Sequence, residues 1–346
     1  MFKELKKFVD DNPIRVTVCE KTGIGYAYTF NGNTVAYYEL DGNIDVYNDL
    51  ILPNANDFEN IDDAIHSDGV IFDEYPYDFY IGDCEVSEPK QVSANQFVNA
   101  LSTFTNFYDI NNIHSEYRGI HIKDGNMFAT NSYVMRIVKT ATFDKSSNMV
   151  INFKPVVDFM NINTKKIKTT GKSLFDSKSK DDKVSISTYN KGGEDVLLID
   201  YKGLTFRNHS ICKSELDFQF IAESNKNLDK TIKVYRNDLY RALNNLLNEP
   251  IKDKNKVKNA FVFEQVDDKL LVYPYIKFKD DRGDILETVN AQSNIDTKLI
   301  TNGENLLNVL KHINDEIIEL KHNSESKICK ISSKSSKEDY YLIFNV

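Results

Sequence analysis

The chain has 346 residues, 41% of them hydrophobic and 27% charged, with a formal net charge of −9. This composition excludes a disordered polypeptide. No stretch approaches the roughly 18 consecutive apolar residues of a membrane span, and the opening MFKELKKFVDD lacks the apolar segment of a secretory signal.

Length predicts two or three domains, and the first is set apart by charge. Residues 1–90 hold 19 Asp and Glu against 6 Lys and Arg, a balance of −13, so the rest carries −9 + 13 = +4. This part opens with a helix over 2–10. A hairpin follows in GIGYAYTFNGNTVAYYEL, turning at Asn31-Gly32. ANDFENIDDAI then offers Phe58, Ile61 and Ile65 as a short helical face.

The second part begins after the polar seam at 83–91. SANQFVNALSTFTNFY (93–108) places Phe97, Leu101, Phe104 and Tyr108 on one helical face, with Ser93 and Gln96 spaced as a capping box. YRGIHIKDGNMFATN reads as two strands around Asp124-Gly125, with His121 expected to face solvent. A second helix is expected at about 153–162, then a meander with a Gly192-Gly193 turn. Past a second seam at 222–230 the order returns. VYRNDLYRALNNLLNE carries Leu239, Leu243, Leu246 and Leu247 at helical spacing. A hairpin at Asp267-Asp268, the helix of GENLLNVLKHI and closing strands in EIIELKHNSESKICKI and DYYLIFNV follow. A repeated unit predicts three α+β domains at 1–88, 89–224 and 225–346, the first a reduced copy.

Chemistry is absent where repetition is strong. There is no GxxxxGK[ST], HExxH, GxSxG or calcium-loop spacing, so neither an enzyme nor a cofactor or metal is expected. Four scattered cysteines without a CxxC pair are expected as reduced thiols of a cytoplasmic protein. Basic clusters are present instead. Lys165, Lys166 and Lys168 follow the second helix of the middle unit, and Arg236, Arg241 and Lys311 lie on helices of the last. Lys3, Lys6 and Lys7 give the first helix a basic side. Lysine-rich surfaces without interleaved aromatics suit a phosphate backbone contacted through charge, without base readout.

Three stretches resemble the bacterial beta sliding clamp, the DNA polymerase III beta subunit. YRGIHIKDGNMFATNSYVMRIV resembles the family's middle-domain signature, and SICKSELDF (210–218) the end of that domain. NGENLLNVLKHINDEIIEL with the terminal DYYLIFNV resembles the closing helix and last strand. The resemblance covers about residues 90–346. It implies three tandem clamp domains per chain and a head-to-tail homodimeric ring around double-stranded DNA, helices lining the hole and antiparallel sheets outside. It also implies a groove between the middle and last domains for linear peptides of the replicative polymerase and the clamp loader. By position that groove uses Tyr117, Thr130, Ser132, Tyr133, Val134, Met135, Leu216, Ile221, Leu342, Phe344 and Val346, with Val134 and Met135 as its floor. The helix around Leu246 and Leu247 resembles the family's dimer-interface helix. Asn131-Ser132-Tyr133-Val134 departs from the family's Asp-Gly-His-Arg, and Leu216 and Asn345 stand where it has Pro. Such divergence with AT-rich coding suggests a phage or plasmid clamp. Two other readings stay open: a clamp-like decoy or transcription co-regulator acting through its acidic N-terminal unit, and an enzyme with dispersed catalytic residues.

Overall fold

A computed structural model describes residues 1–8, 12–41, 49–140, 142–143, 145–163, 182–218, 228–249, 256–277, 285–293, 298–322, 328–332 and 339–344. The N-terminal unit runs α1 (Phe2–Phe8), β1 (Ile14–Val18), β2 (Gly25–Asn31), β3 (Thr34–Glu39), β4 (Leu50–Leu52), α2 (Ile61–Ile65) and β5 (Ile71–Phe72). The middle unit runs β6 (Lys90–Ser93), α3 (Ala94–Ser102), β7 (Ile120–Lys123), β8 (Asn126–Thr130) and β9 (Val134–Lys139). It then repeats that order in β10 (Asn148–Ile151), α4 (Lys154–Asn163), β11 (Lys183–Lys191), β12 (Glu194–Tyr201) and β13 (Leu204–His209). The C-terminal unit goes through the order twice more. Its first half is β14 (Lys230–Tyr235), α5 (Arg236–Asn248), β15 (Lys256–Val266), β16 (Lys269–Ile276) and β17 (Glu287–Ser293). Its second half is β18 (Leu299–Asn302), α6 (Gly303–His312), β19 (Ile317–His322), β20 (Ile328–Ser332) and β21 (Asp339–Phe344).

Each strand that leads into a helix joins the strands of the other half-unit. β6 pairs with β11 and β10 with β7; β14 pairs with β19 and β18 with β15. This exchange locks the two halves of a unit together, so neither half is an independent fold. The units join edge to edge. Antiparallel β3 and β13 link the N-terminal and middle units into a nine-stranded sheet, and β9 and β21 link the middle and C-terminal units within a twelve-stranded one. Among the described residues the N-terminal unit has the sheet β4-β1-β2-β3, extended by the two residues of β5. Between α2 and β6 no other strand forms, so the second half of this unit is reduced.

All six helices of the described residues contribute to one continuous core on one face of the sheets. The apolar spacing read from the sequence supplies it: Phe97 and Leu101 from α3, Val156, Phe159 and Met160 from α4, Leu239 and Leu243 from α5, Leu306 and Leu310 from α6. The Ser93 hydroxyl accepts from the Gln96 amide at 3.2 Å, capping α3 as the sequence implies. The helix stops at Ser102 rather than running to 108, and Phe104 and Phe107 stay buried through tight turns beyond it. Asp124-Gly125 turns with φ of 52° and 72°, the left-handed pair a two-residue hairpin demands. The first hairpin turns one residue later than expected, because Asn31 pairs with Thr34 and leaves Gly32 and Asn33 as the turn.

Candidate functional site

The outer face, opposite the helices, has a second apolar cluster where the middle and C-terminal units meet. Side chains alternate along β8 and β9, so Met127, Ala129, Val134 and Val138 join the helix-side core while Phe128, Met135 and Ile137 face outward. Ile328 of β20 and Phe218 complete the outer cluster, with half-buried Leu216 packed on it. The Phe128 ring carries His121 on one side at 4.3 Å and Phe218 on the other at 4.6 Å.

His121 is fully buried, which corrects the expectation of a solvent-facing strand residue. Its Nε2 lies 2.6 Å from the Glu116 carbonyl, which can only accept, so Nε2 carries the proton and Nδ1 accepts the Ser214 hydroxyl at 2.7 Å. Burial pushes the imidazole pKa down to about 4; the bond to Glu116 works against the shift and nearby Lys123 adds to it. The Lys123 ammonium donates to the carbonyls of Ser214 at 3.2 Å and Leu216 at 3.3 Å. The Ser214 amide donates to Asn148 Oδ1 at 2.8 Å. Residues 214–218 are thereby held against the sheet, and Phe218 covers the cluster.

The β8–β9 connection is built from its own side chains. Thr130 Oγ1 accepts from the Ser132 amide at 3.1 Å, and Asn131 Oδ1 accepts from the amides of Tyr133 at 3.1 Å and Val134 at 3.0 Å. Ser132 takes a left-handed φ of 72°. This polar turn buries Thr130 and projects Tyr133, which is 65% exposed.

The expected groove residues are therefore only partly brought together. Met135 lies in the outer cluster on which Leu216 packs; Thr130, Ser132 and Tyr133 form the adjoining turn. Tyr117 sits next to Glu116 on the 3-10 turn Ser115–Tyr117 beside His121. In register, Leu342 stands opposite Met135 and Phe344 opposite Ile328. Val134 is corrected: strand alternation turns it into the helix-side core, so it cannot share a floor with Met135. Met135 is 1% exposed, so a charge placed there would strike the fold as well as any ligand. Ile221 and Val346 lie outside the described residues. His121, Phe128, Ile137, Phe218 and Ile328 were not anticipated as part of this site, although period-two counting outward from Met135 would have found Ile137.

The basic residues divide by what they already hold. Lys6 donates to the Phe58 carbonyl at 2.6 Å, and Lys7 pairs with Glu4 at 2.9 Å. Arg236 donates to the carbonyls of Ile313 at 2.7 Å and Leu310 at 3.3 Å, closing the C-terminal end of α6. Exposed Arg241 pairs with Asp238 at 2.6 Å, Lys311 reaches Asn308 Oδ1 at 3.3 Å, and Lys3 is exposed. Lys165, Lys166 and Lys168 lie outside the described residues. Leu246 is buried in the core of its own unit and Leu247 packs against it, so Leu246 has no side-chain surface to offer a second chain. Among the described residues no group of three His, Cys, Asp or Glu side chains is arranged to hold a metal ion.

The junction of the N-terminal and middle units is closed differently, by residues 73–87 crossing the outer face of the nine-stranded sheet. Buried Asp73 binds Arg15 at 2.6 Å, the Tyr77 hydroxyl meets His209 Nε2 at 2.7 Å, and Ser87 exchanges backbone and side-chain bonds with Thr188. Arg207 lies under this strap with its guanidinium 5.1 Å from the rings of Tyr37 and Phe79 and 5.7 Å from that of Tyr77.

Half-units of one helix and a three-strand meander, exchanging their leading strands and joined edge to edge with all helices on one side, define the fold of DNA sliding clamps. Solved structures similar to the chain bear this out over its whole length. A DNA polymerase sliding clamp from Caulobacter crescentus matches with a TM-score of 0.69 at 9% identity, covering 100% of this chain and 96% of that one. The DNA polymerase III beta subunit of Thermotoga maritima matches with a TM-score of 0.65 at 12% identity, covering 100% and 95%. A putative DNA polymerase III beta subunit from Eubacterium rectale gives 0.63 at 13% identity, covering 100% and 96%. No family model matches the sequence, and neither does any curated protein.

Proposed function

We propose that the chain is a DNA polymerase processivity clamp, a non-enzymatic homodimeric ring that encircles duplex DNA. Its three units are taken as 1–88, 89–224 and 225–346. The observation that carries this reading is the separation of the two faces: helices on one side of continuous sheets, matching sliding clamps from end to end. A topological ring needs no catalytic group, and it tolerates a net charge of −9 when its lining is not acidic. Partner peptides from a polymerase and a loader dock beside the outer cluster, with exposed Tyr133 at the rim and Leu216 at the side. Light scattering coupled to size exclusion should give a dimer, and the protein should remain on closed circular DNA while sliding from linear DNA. A strict monomer lost equally from both would overturn the proposal.

The reduced N-terminal unit favours a second reading. It is strongly acidic and ends in an edge strand whose Ile71 and Phe72 are exposed. An interaction protein acting through this unit would bind a protein partner without retention on circular DNA, and removal of residues 1–88 would abolish that binding.

A further inference from the structure

We infer that the helices meet the DNA duplex through side-chain amides rather than through a basic surface. The inference rests on the reading above, that the helical side faces DNA, and names the chemistry of that contact. Among the described residues the six helices carry seven Lys and Arg against six Asp and Glu, a net charge of only +1. Six of the seven cations are already engaged: Lys6 and Arg236 hold backbone carbonyls, Lys7, Lys154 and Arg241 pair with carboxylates on their own helices, and Lys311 donates to Asn308 Oδ1. Such pairs leave little charge for phosphate.

The polar capacity is supplied by asparagine. α3, α5 and α6 hold eight asparagines between them. The longest set lies on α5, where Asn237, Arg241, Asn244 and Asn248 recur at spacings of four, three and four and are all exposed. One α-helical face repeats at that interval, so these four side chains form a single stripe along the helix. Asparagine is among the weaker helix formers, so helix propensity does not explain its choice at four exposed positions of one helix. A carboxamide has two N–H donors for a phosphate oxygen and brings no counterions to release. Asn237 Oδ1 already accepts from Arg236 at 2.7 Å, leaving its donors for another acceptor. Asn248 donates at 2.8 Å to the Asn244 carbonyl, an exposed local bond that a phosphate can replace.

The consequence is a weak dependence of DNA binding on salt. Binding constants fall with salt at a slope of about −0.9 per neutralised phosphate. With roughly one phosphate neutralised per chain, and so two per dimeric ring, affinity should fall only about 12-fold between 50 and 200 mM salt, whereas six per ring would cost about 10³-fold. The test is a titration of labelled duplex DNA with the full-length chain, followed by fluorescence anisotropy across that salt range. A slope near −2 is expected for the dimeric ring. A slope steeper than −3 overturns the inference and assigns binding to lysines outside the described residues. In the same assay the triple variant Asn237→Ala, Asn244→Ala, Asn248→Ala should bind about 10-fold more weakly at an unchanged slope, with its melting temperature as the folding control. Unchanged affinity in the folded variant also overturns the inference. Retention on closed circular DNA, measured separately, tests the underlying reading: if the chain is not retained, that reading fails and the inference with it. If it is retained and the slope is steep, only the inference fails.

Discussion

The buried imidazole of His121 should make this protein lose stability in mildly acidic solution, in a window set by one residue. In the unfolded chain the ring titrates near 6.5, and in the fold burial takes it down to about 4. Between those values the unfolded chain binds a proton that the folded chain does not, so stability falls as pH falls. The contribution is fully present above pH 6.5, declines by about 1.4 kcal/mol per pH unit below it, and is gone near pH 4, about 3 kcal/mol in all. Other groups titrate in the same range, so the assay is a comparison. Urea denaturation of wild type and of His121→Gln should be followed at pH 7.5, 6, 5 and 4. Glutamine loses one of the two hydrogen bonds and should be less stable at pH 7.5, but it carries no titrating group. The stability difference between the two proteins should therefore shift by about 3 kcal/mol in favour of the variant toward pH 4. A gap constant across that range would refute the reasoning, since a ring whose pKa is equal in both states contributes no pH dependence.

Several substitutions probe the packing that positions the site. At Gly303 an added Cβ would lie 2.7 Å from Phe261 Cε2 and 3.2 Å from Leu243 Cδ2, both in the core. Overpacking of about 1–3 kcal/mol outweighs any helix-propensity gain of at most ~1 kcal/mol, so Gly303→Ala should lower the denaturation midpoint. Gly119→Ala should cost more, because its Cβ would meet the Ile151 carbonyl oxygen at 2.6 Å and no side-chain rotation relieves a backbone clash. Met135→Asp should destabilise the chain by several kcal/mol, whereas Tyr133→Ala should change stability by less than about 0.5 kcal/mol and weaken peptide binding, as calorimetry would show. Arg207→Met should cost about 2 kcal/mol through loss of its ring contacts and of the 3.0 Å bond to the Phe79 carbonyl, and should expose the 73–87 strap to limited proteolysis.

Helical spacing and turn residues were enough to read the repeated order of helix and meander from the chain, because both depend on near neighbours. Phe97 and Leu101, Leu239 and Leu243, and the left-handed Asp124-Gly125 pair declare their elements within a few residues. The acidic character of the first unit and the lack of catalytic spacing belong to the sequence in the same way. What only the tertiary structure decided concerns faces and partners. Val134 and Met135 are neighbours in sequence, yet strand alternation sends one to the helix-side core and the other to the outer cluster. Lys6 and Arg236 read as free cations until distant segments placed the Phe58, Leu310 and Ile313 carbonyls beside them. His121 looked solvent-facing because Glu116, Phe128 and Ser214 enclose it only after the hairpin closes and the chain returns 93 residues later. Local periodicity determines which element forms, while burial depends on which remote segment folds over it, and one strand's pattern does not encode that.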